Sequence, residues 1–150
     1  MTASTQRIDV TLETQLESID LAESIVMRVA EATGFGDEDS HKIGMAVREG
    51  VINAYNYGNQ QDPEKKIKIS IELNSEKMII RILDQGKGFV LTEIPDCLAE
   101  ENLLRTSGRG IFLMRAFMDE LSVAPGEGGG AEVIMAKRLP STVSNLSDAN

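Results

Sequence analysis

The sequence predicts an α+β fold, a two-layer sandwich in which a sheet carries helices on one face. Three observations predict it. The spacing of apolar residues switches between period 2 and about 3.6 along the chain. The element order that results is β-α-α-β-β-loop-α-β-β. The strands after the second element fall in pairs joined by hairpin-like connections, which favours antiparallel neighbours and a single strand cluster. The 150 residues suit one domain with a true core.

Residues 5–12 alternate polar and apolar at Ile8, Val10 and Leu12, as a half-buried strand does. Residues 14–33 switch to helical spacing. Leu16, Ile19, Ala22, Val26, Val29, Ala30 and Thr33 share a face, and Gly34 ends the run. Asp37-Glu38-Asp39-Ser40 is an acidic cap opening a second helix, which runs to about Tyr57. A polar loop over 60–64 leads to a strand at 66–73, with Ile67, Ile69, Ile71 and Leu73 on one face. Asn74-Ser75-Glu76 reads as a hairpin turn, and 78–83 returns as a strand.

Residues 84–110 hold five residues of Gly or Pro (Gly86, Gly88, Pro95, Gly108, Gly110) and no sustained period. They read as a long loop with a short helix around 97–104, and loops of this length are usually functional. A third helix is expected over 110–120, with Ile111, Met114, Phe117 and Met118 at helical spacing. Strands at 121–124 and 131–139 close the domain, joined by a glycine-rich turn. The domain is expected to cover 1–139, and the polar tail 140–150 to be disordered.

Composition excludes several functions. Fifteen Lys and Arg against 24 Asp and Glu give a net charge of −9. That argues against a direct nucleic-acid binder and against docking on an anionic membrane. One cysteine, Cys97, rules out an internal disulfide framework or a Cys-based zinc site, and reads as a free thiol. One histidine, His41, rules out a multi-His centre and reads as a surface residue. No apolar run approaches the roughly 20 residues of a membrane span. The first residues lack the basic-then-apolar pattern of a signal peptide, so the cytoplasm is the expected compartment.

Three places carry chemistry. In the second helix Ile43, Val47, Gly50, Val51 and Ala54 form the apolar face. Glu49 and Asn53 are four apart and share another face, about 120° away at about 100° per residue. A carboxylate and a carboxamide so placed point into a pocket at the edge of the core. The ordinary alternative is a solvated helix face, and Arg48 is then surface charge. In Asp84-Gln85-Gly86-Lys87-Gly88, a carboxylate at a strand end can accept a hydrogen bond from a ligand amine, while Gly86 and Gly88 let the chain turn close to that ligand. The alternative is a plain Asp-Gly turn. In Ser107-Gly108-Arg109-Gly110, glycines before a helix expose unpaired N–H groups at its positive end. Arg105 and Arg109 add charge suited to phosphate. No Walker pattern is present, so a nucleotide site here is not a P-loop.

The order Glu49/Asn53, Asp84-x-Gly86-x-Gly88, Gly108-x-Gly110 resembles the Bergerat-type (GHKL) ATP fold over about residues 5–139. Residues 107–121 and Arg48-Glu49-Gly50-Val51-Ile52-Asn53-Ala54 narrow the resemblance to the anti-sigma-factor serine/threonine kinases of bacteria. The resemblance implies a mixed, mostly antiparallel sheet and the cofactors ATP and Mg. It implies that Glu49 is the general base, that Asn53 holds Mg, and that Asp84 bonds the adenine amino group. Gly86 and Gly88 would shape the adenine pocket, and Gly108 and Gly110, with Arg105 and Arg109, would meet the phosphates. The loop 89–107 would be an ATP lid. The implied partners are a sigma factor, an anti-sigma-factor antagonist carrying the acceptor Ser or Thr, and a second copy of the chain.

Two positions depart from the family. Tyr57 stands where relatives have His, and Gly130-Ala131-Glu132 replaces a Gly-Thr-Thr whose hydroxyl reaches adenine. These departures leave a second reading open, a nucleotide-gated module that captures a sigma factor without transferring phosphate. A third reading, a histidine-kinase catalytic domain, requires a phospho-accepting helix pair for which these residues leave no room.

Overall fold

The structure is a computed structural model that describes residues 5–86 and 109–140. Five strands form one sheet: β1 (Gln6–Glu13), β2 (Lys66–Leu73), β3 (Lys77–Leu83), β4 (Glu120–Pro125) and β5 (Ala131–Arg138). Their spatial order is β1-β2-β3-β5-β4. All four described pairings are antiparallel, so the sheet is antiparallel throughout rather than mixed. The physical reason lies in the connections. β2 turns directly into β3, β4 directly into β5, and the intervening helices return the chain so that β1 and β5 also meet their neighbours head to tail.

Among the described residues there are three α-helices: α1 (Leu16–Thr33), α2 (Asp37–Asn53) and α3 (Arg109–Phe117). The helix layer and the inner sheet face share one core. Ala22, Val26, Ile43, Val47 and Val51 from the helices meet Ile67, Ile71, Met78, Ile80, Ile82 and Met135 from the sheet. Met114 and Met118 fill the same core from α3 and its end. Gly50 is where α2 comes down onto this layer. A Cβ there would press into Ile82, with Met135 and Met114 close behind.

Most boundaries agree with the spacing of the sequence, and the differences have causes. Gly34 ends α1 in the left-handed region at φ 111°, as its position predicts. Leu16, expected on the buried face, is 64% exposed. It is the first helical residue, and helical side chains lean toward the N-terminus, so this one leans off the end of the helix. The acidic run does not cap α2. Gly36 is the N-cap, and Asp37, Glu38 and Asp39 occupy the first turn, where they face the helix dipole. The third helix ends at Phe117 rather than 120, because the Asp119 amide bonds the Ala136 carbonyl and draws the chain into β4. His41 is exposed, as expected. Cys97, the loop 89–107 with its expected short helix, and the tail from 141 onward lie outside the described residues.

Candidate functional site: a buried aspartate among three glycines

The last turns of α2 place Glu49 and Asn53 on one face, both half-buried. Neither makes a side-chain hydrogen bond with another described residue, so their oxygens keep free lone pairs within the described part of the molecule. Arg48 turns the other way. Its guanidinium donates to Asp20 and to Glu23 (3.0 Å) of α1. The Asp20 hydrogen bond is the main cause that raises the pKa of Arg48, and burial, the next influence in size, works against it. Arg48 therefore ties α1 to α2.

Beyond Asn53 the helix widens into a π-turn over Ala54–Gly58, closed by the Asn59 amide on the Ala54 carbonyl at 2.7 Å. Such widened turns recur at functional sites. This one carries Gly58 against the end of β3. Tyr57 is exposed.

Asp84 follows the last residue of β3 and is only 6% exposed. Its Oδ1 accepts the Gly86 amide (2.9 Å) and the Ala131 amide (3.1 Å). Its own amide donates to the Ala131 carbonyl at 3.1 Å. Among the described residues, no donor reaches Oδ2. Three glycines enclose this carboxylate. A Cβ at Gly58 would collide with the Asp84 carboxylate, one at Gly86 with the Gly58 carbonyl, and one at Gly130 with the Asp84 carbonyl. None of the three has a positive φ, unlike Gly34, Gly128 and Gly129. They are glycine for space, not for backbone conformation.

Behind the carboxylate lies a buried amide. Asn59 has no exposed surface, and its Nδ2 donates to Thr14 Oγ1 (2.8 Å) and to the Lys66 carbonyl (3.0 Å). Its Oδ1 accepts the Gln85 amide at 2.7 Å. Thr14 passes its own hydrogen to the Lys65 carbonyl at 2.6 Å. Gln85 Oε1 accepts the Lys66 amide at 2.6 Å.

Of the residues expected in the site, Asp84 and Gly86 are in direct contact, and Glu49 and Asn53 lie on the helix that runs into the same turn. Gly110 is buried in the first turn of α3, which packs on α2 near Gly50. Arg109 opens α3. Gly88, Arg105 and Gly108 lie outside the described residues. Sequence reasoning missed Gly58, Asn59 and Thr14, and took Gly130 only as part of the segment that departs from the family.

Known proteins share the fold of this chain. The family model described as a histidine kinase-like ATPase domain matches residues 12–137. The serine-protein kinase RsbW of Oceanobacillus iheyensis is 26% identical over 94% of this chain and 92% of its own length. The anti-sigma F factor of Clostridium novyi is 32% identical over 69% of this chain and 74% of its own. A crystal structure of the RsbU and RsbW domains of a Mycobacterium tuberculosis protein superimposes with a TM-score of 0.63 at 17% identity. It covers 89% of this chain, which spans 32% of that longer one. The chain belongs to the histidine kinase-like ATPase domain family and, within it, to the group of anti-sigma factors and their serine-protein kinase relatives.

Proposed function

We propose that this chain is an ATP-dependent serine/threonine protein kinase that phosphorylates an anti-sigma-factor antagonist and, in a partner-switching cycle, captures a sigma factor. In this reading it works in the cytoplasm as a homodimer, through a single domain over 1–139 followed by a tail. The names of its relatives support the class of activity. The observation that carries the reading is Asp84, a buried carboxylate with Oδ1 fully used and no described donor on Oδ2. With Oδ1 engaged twice, Oδ2 is the carboxylate oxygen left to accept from a ligand donor.

An adenine nucleotide fits what the residues offer. Asp84 Oδ2 would accept a hydrogen bond from the exocyclic amine, and Gly86 with Gly88 would leave room for the flat base. Asn53 offers a hard carbonyl oxygen of the type that suits Mg. When bound, Mg-ATP supplies the phosphoryl group for transfer. Glu49, half-buried and unpaired among the described residues, would take the proton from the acceptor hydroxyl. Gly108, Gly110, Arg105 and Arg109 would meet the phosphates at the start of α3.

Labelled ATP, Mg and a candidate antagonist test the proposal. Transfer to the antagonist is expected, with Glu49→Ala lowering its rate at least about a hundredfold while nucleotide still binds. Transfer undiminished in Glu49→Ala would sink the assignment of the base. One observation favours the alternative of a nucleotide-gated module without transfer. Ala131 offers Asp84 only backbone groups, at a place where the family resemblance implies a threonine hydroxyl reaching adenine. Nucleotide-dependent capture of a sigma factor with no phosphate turnover would select that alternative.

A further inference from the structure

The β2–β3 ladder stops at Lys68 and Leu83, one pair short of Asp84. From there the two strands part, and the segment carrying Asp84 keeps a partner strand on one side only, at Ala131. On its other side stands the Asn59 side chain. It accepts the Gln85 amide with Oδ1 and holds the Lys66 carbonyl with Nδ2. Its second Nδ2 hydrogen goes to Thr14, where β1 ends and α1 is about to begin. Gln85 completes the link by accepting the Lys66 amide.

We infer that Asn59 is a positioning residue for the nucleotide base, acting through the Gln85 amide to fix where the Asp84 carboxylate points. The inference rests on the nucleotide reading of this site. Packing alone would be served by an apolar residue of similar volume, because a buried carboxamide gains little unless its bonds are all made. Here three are made, and each goes to a different segment. The π-turn adds a second constraint. Asn59 follows Gly58 directly, and Gly58 abuts both the Asp84 carboxylate and Gly86. One residue step therefore joins the end of the Glu49/Asn53 helix to the turn that would read the base. Asn59 sets that step from both sides, through its amide on Ala54 and its side chain on Gln85.

The test compares Asn59→Ala with Ile71→Val, a core change that lowers stability without touching the turn. Titration with ATP and with GTP gives a discrimination ratio that does not depend on the folded fraction. Asn59→Ala is expected to lower this ratio about tenfold, the factor for losing one buried hydrogen bond. Ile71→Val is expected to leave it unchanged. Hydrogen exchange at the Gln85 amide should accelerate in Asn59→Ala alone, a readout independent of activity. A preserved ratio in folded Asn59→Ala would overturn the inference and leave the nucleotide reading standing. A wild-type chain that binds neither nucleotide would overturn both. Should Asn59→Ala fail to fold, Thr14→Ala removes one of the three bonds that orient the Asn59 carboxamide. It should lower the ratio about threefold, and an unchanged ratio there overturns the inference.

Discussion

Two parts of this molecule use glycine to bring segments close together, and they differ in what lies opposite. At the seam of α1 and α2, a Cβ on Gly44 would meet the Met27 side chain and, further off, Glu23. At the end of β3, Cβ atoms on Gly86 and Gly130 would meet backbone carbonyls, of Gly58 and Asp84. A methionine has three rotatable bonds and can move aside. A carbonyl held in a hydrogen-bonded turn cannot. The polar groups differ in the same sense. The helix seam is tied by the half-exposed Arg48 with Asp20 and Glu23, whereas the turn is tied by the fully buried Asn59. The seam is an adjustable contact. The turn is over-determined, which is what the positioning of a ligand group requires.

Substituting alanine for the two kinds of glycine breaks or sustains this contrast with the largest effect. Gly130→Ala should destabilise the fold by about 3 kcal/mol, at the upper end for overpacking, because the Asp84 backbone must shift. A thermal melt should register this as a fall of about 10 °C. Gly44→Ala should stay within about 1 kcal/mol of wild type, since the gain in helix propensity offsets the displacement of Met27. Equal losses in the two variants would show that the turn is no more rigid than the seam.

Asp84→Asn separates rigidity from recognition at a smaller scale. The amide keeps a carbonyl oxygen for the Gly86 and Ala131 N–H groups but puts a donor where Oδ2 would accept from the base. Stability should change by less than about 1 kcal/mol, while ATP affinity falls about a hundredfold, as for loss of a charged hydrogen bond. Isothermal titration on the folded variant measures it. Wild-type affinity in this variant would remove Asp84 from the binding site.

The same contrast explains what the sequence made legible. The β2–β3 hairpin, the Gly34 stop and the burial of Met114 follow from patterns within a few residues, and local physics decides them. Asp84 and Gly86 were legible as a strand end with a turn, and Glu49 with Asn53 as a helix face. Asn59 was not, because its bonds reach Thr14, 45 positions away, and Gln85, 26 positions away. No periodicity encodes such contacts. Gly58 and Gly130 were hidden for a related reason. Both have ordinary backbone angles, so the need for glycine arises only when Asp84 is folded against them. The misplacement of Leu16 shows the converse error, in which a periodic pattern was extended to a residue that has no turn before it to cover.

The smallest expected effect belongs to Arg48→Ala. The guanidinium reaches two carboxylates on α1, yet its side chain is 37% exposed and that of Asp20 is 77% exposed. Solvent screening limits such pairs to about 0.5–1 kcal/mol, and part of that is lost packing of the arginine stem. Raising the salt to about 1 M shortens the screening length to about 3 Å, so the difference between variant and wild type should shrink in urea melts at high salt. Nucleotide affinity should be unchanged, because the pairs sit on the face of α2 turned toward α1 rather than toward Asp84. A tenfold loss of ATP affinity in Arg48→Ala would mean that the α1–α2 seam is coupled to the turn after all. The two regions would then form one mechanical unit, and the adjustable contact would be part of the binding site.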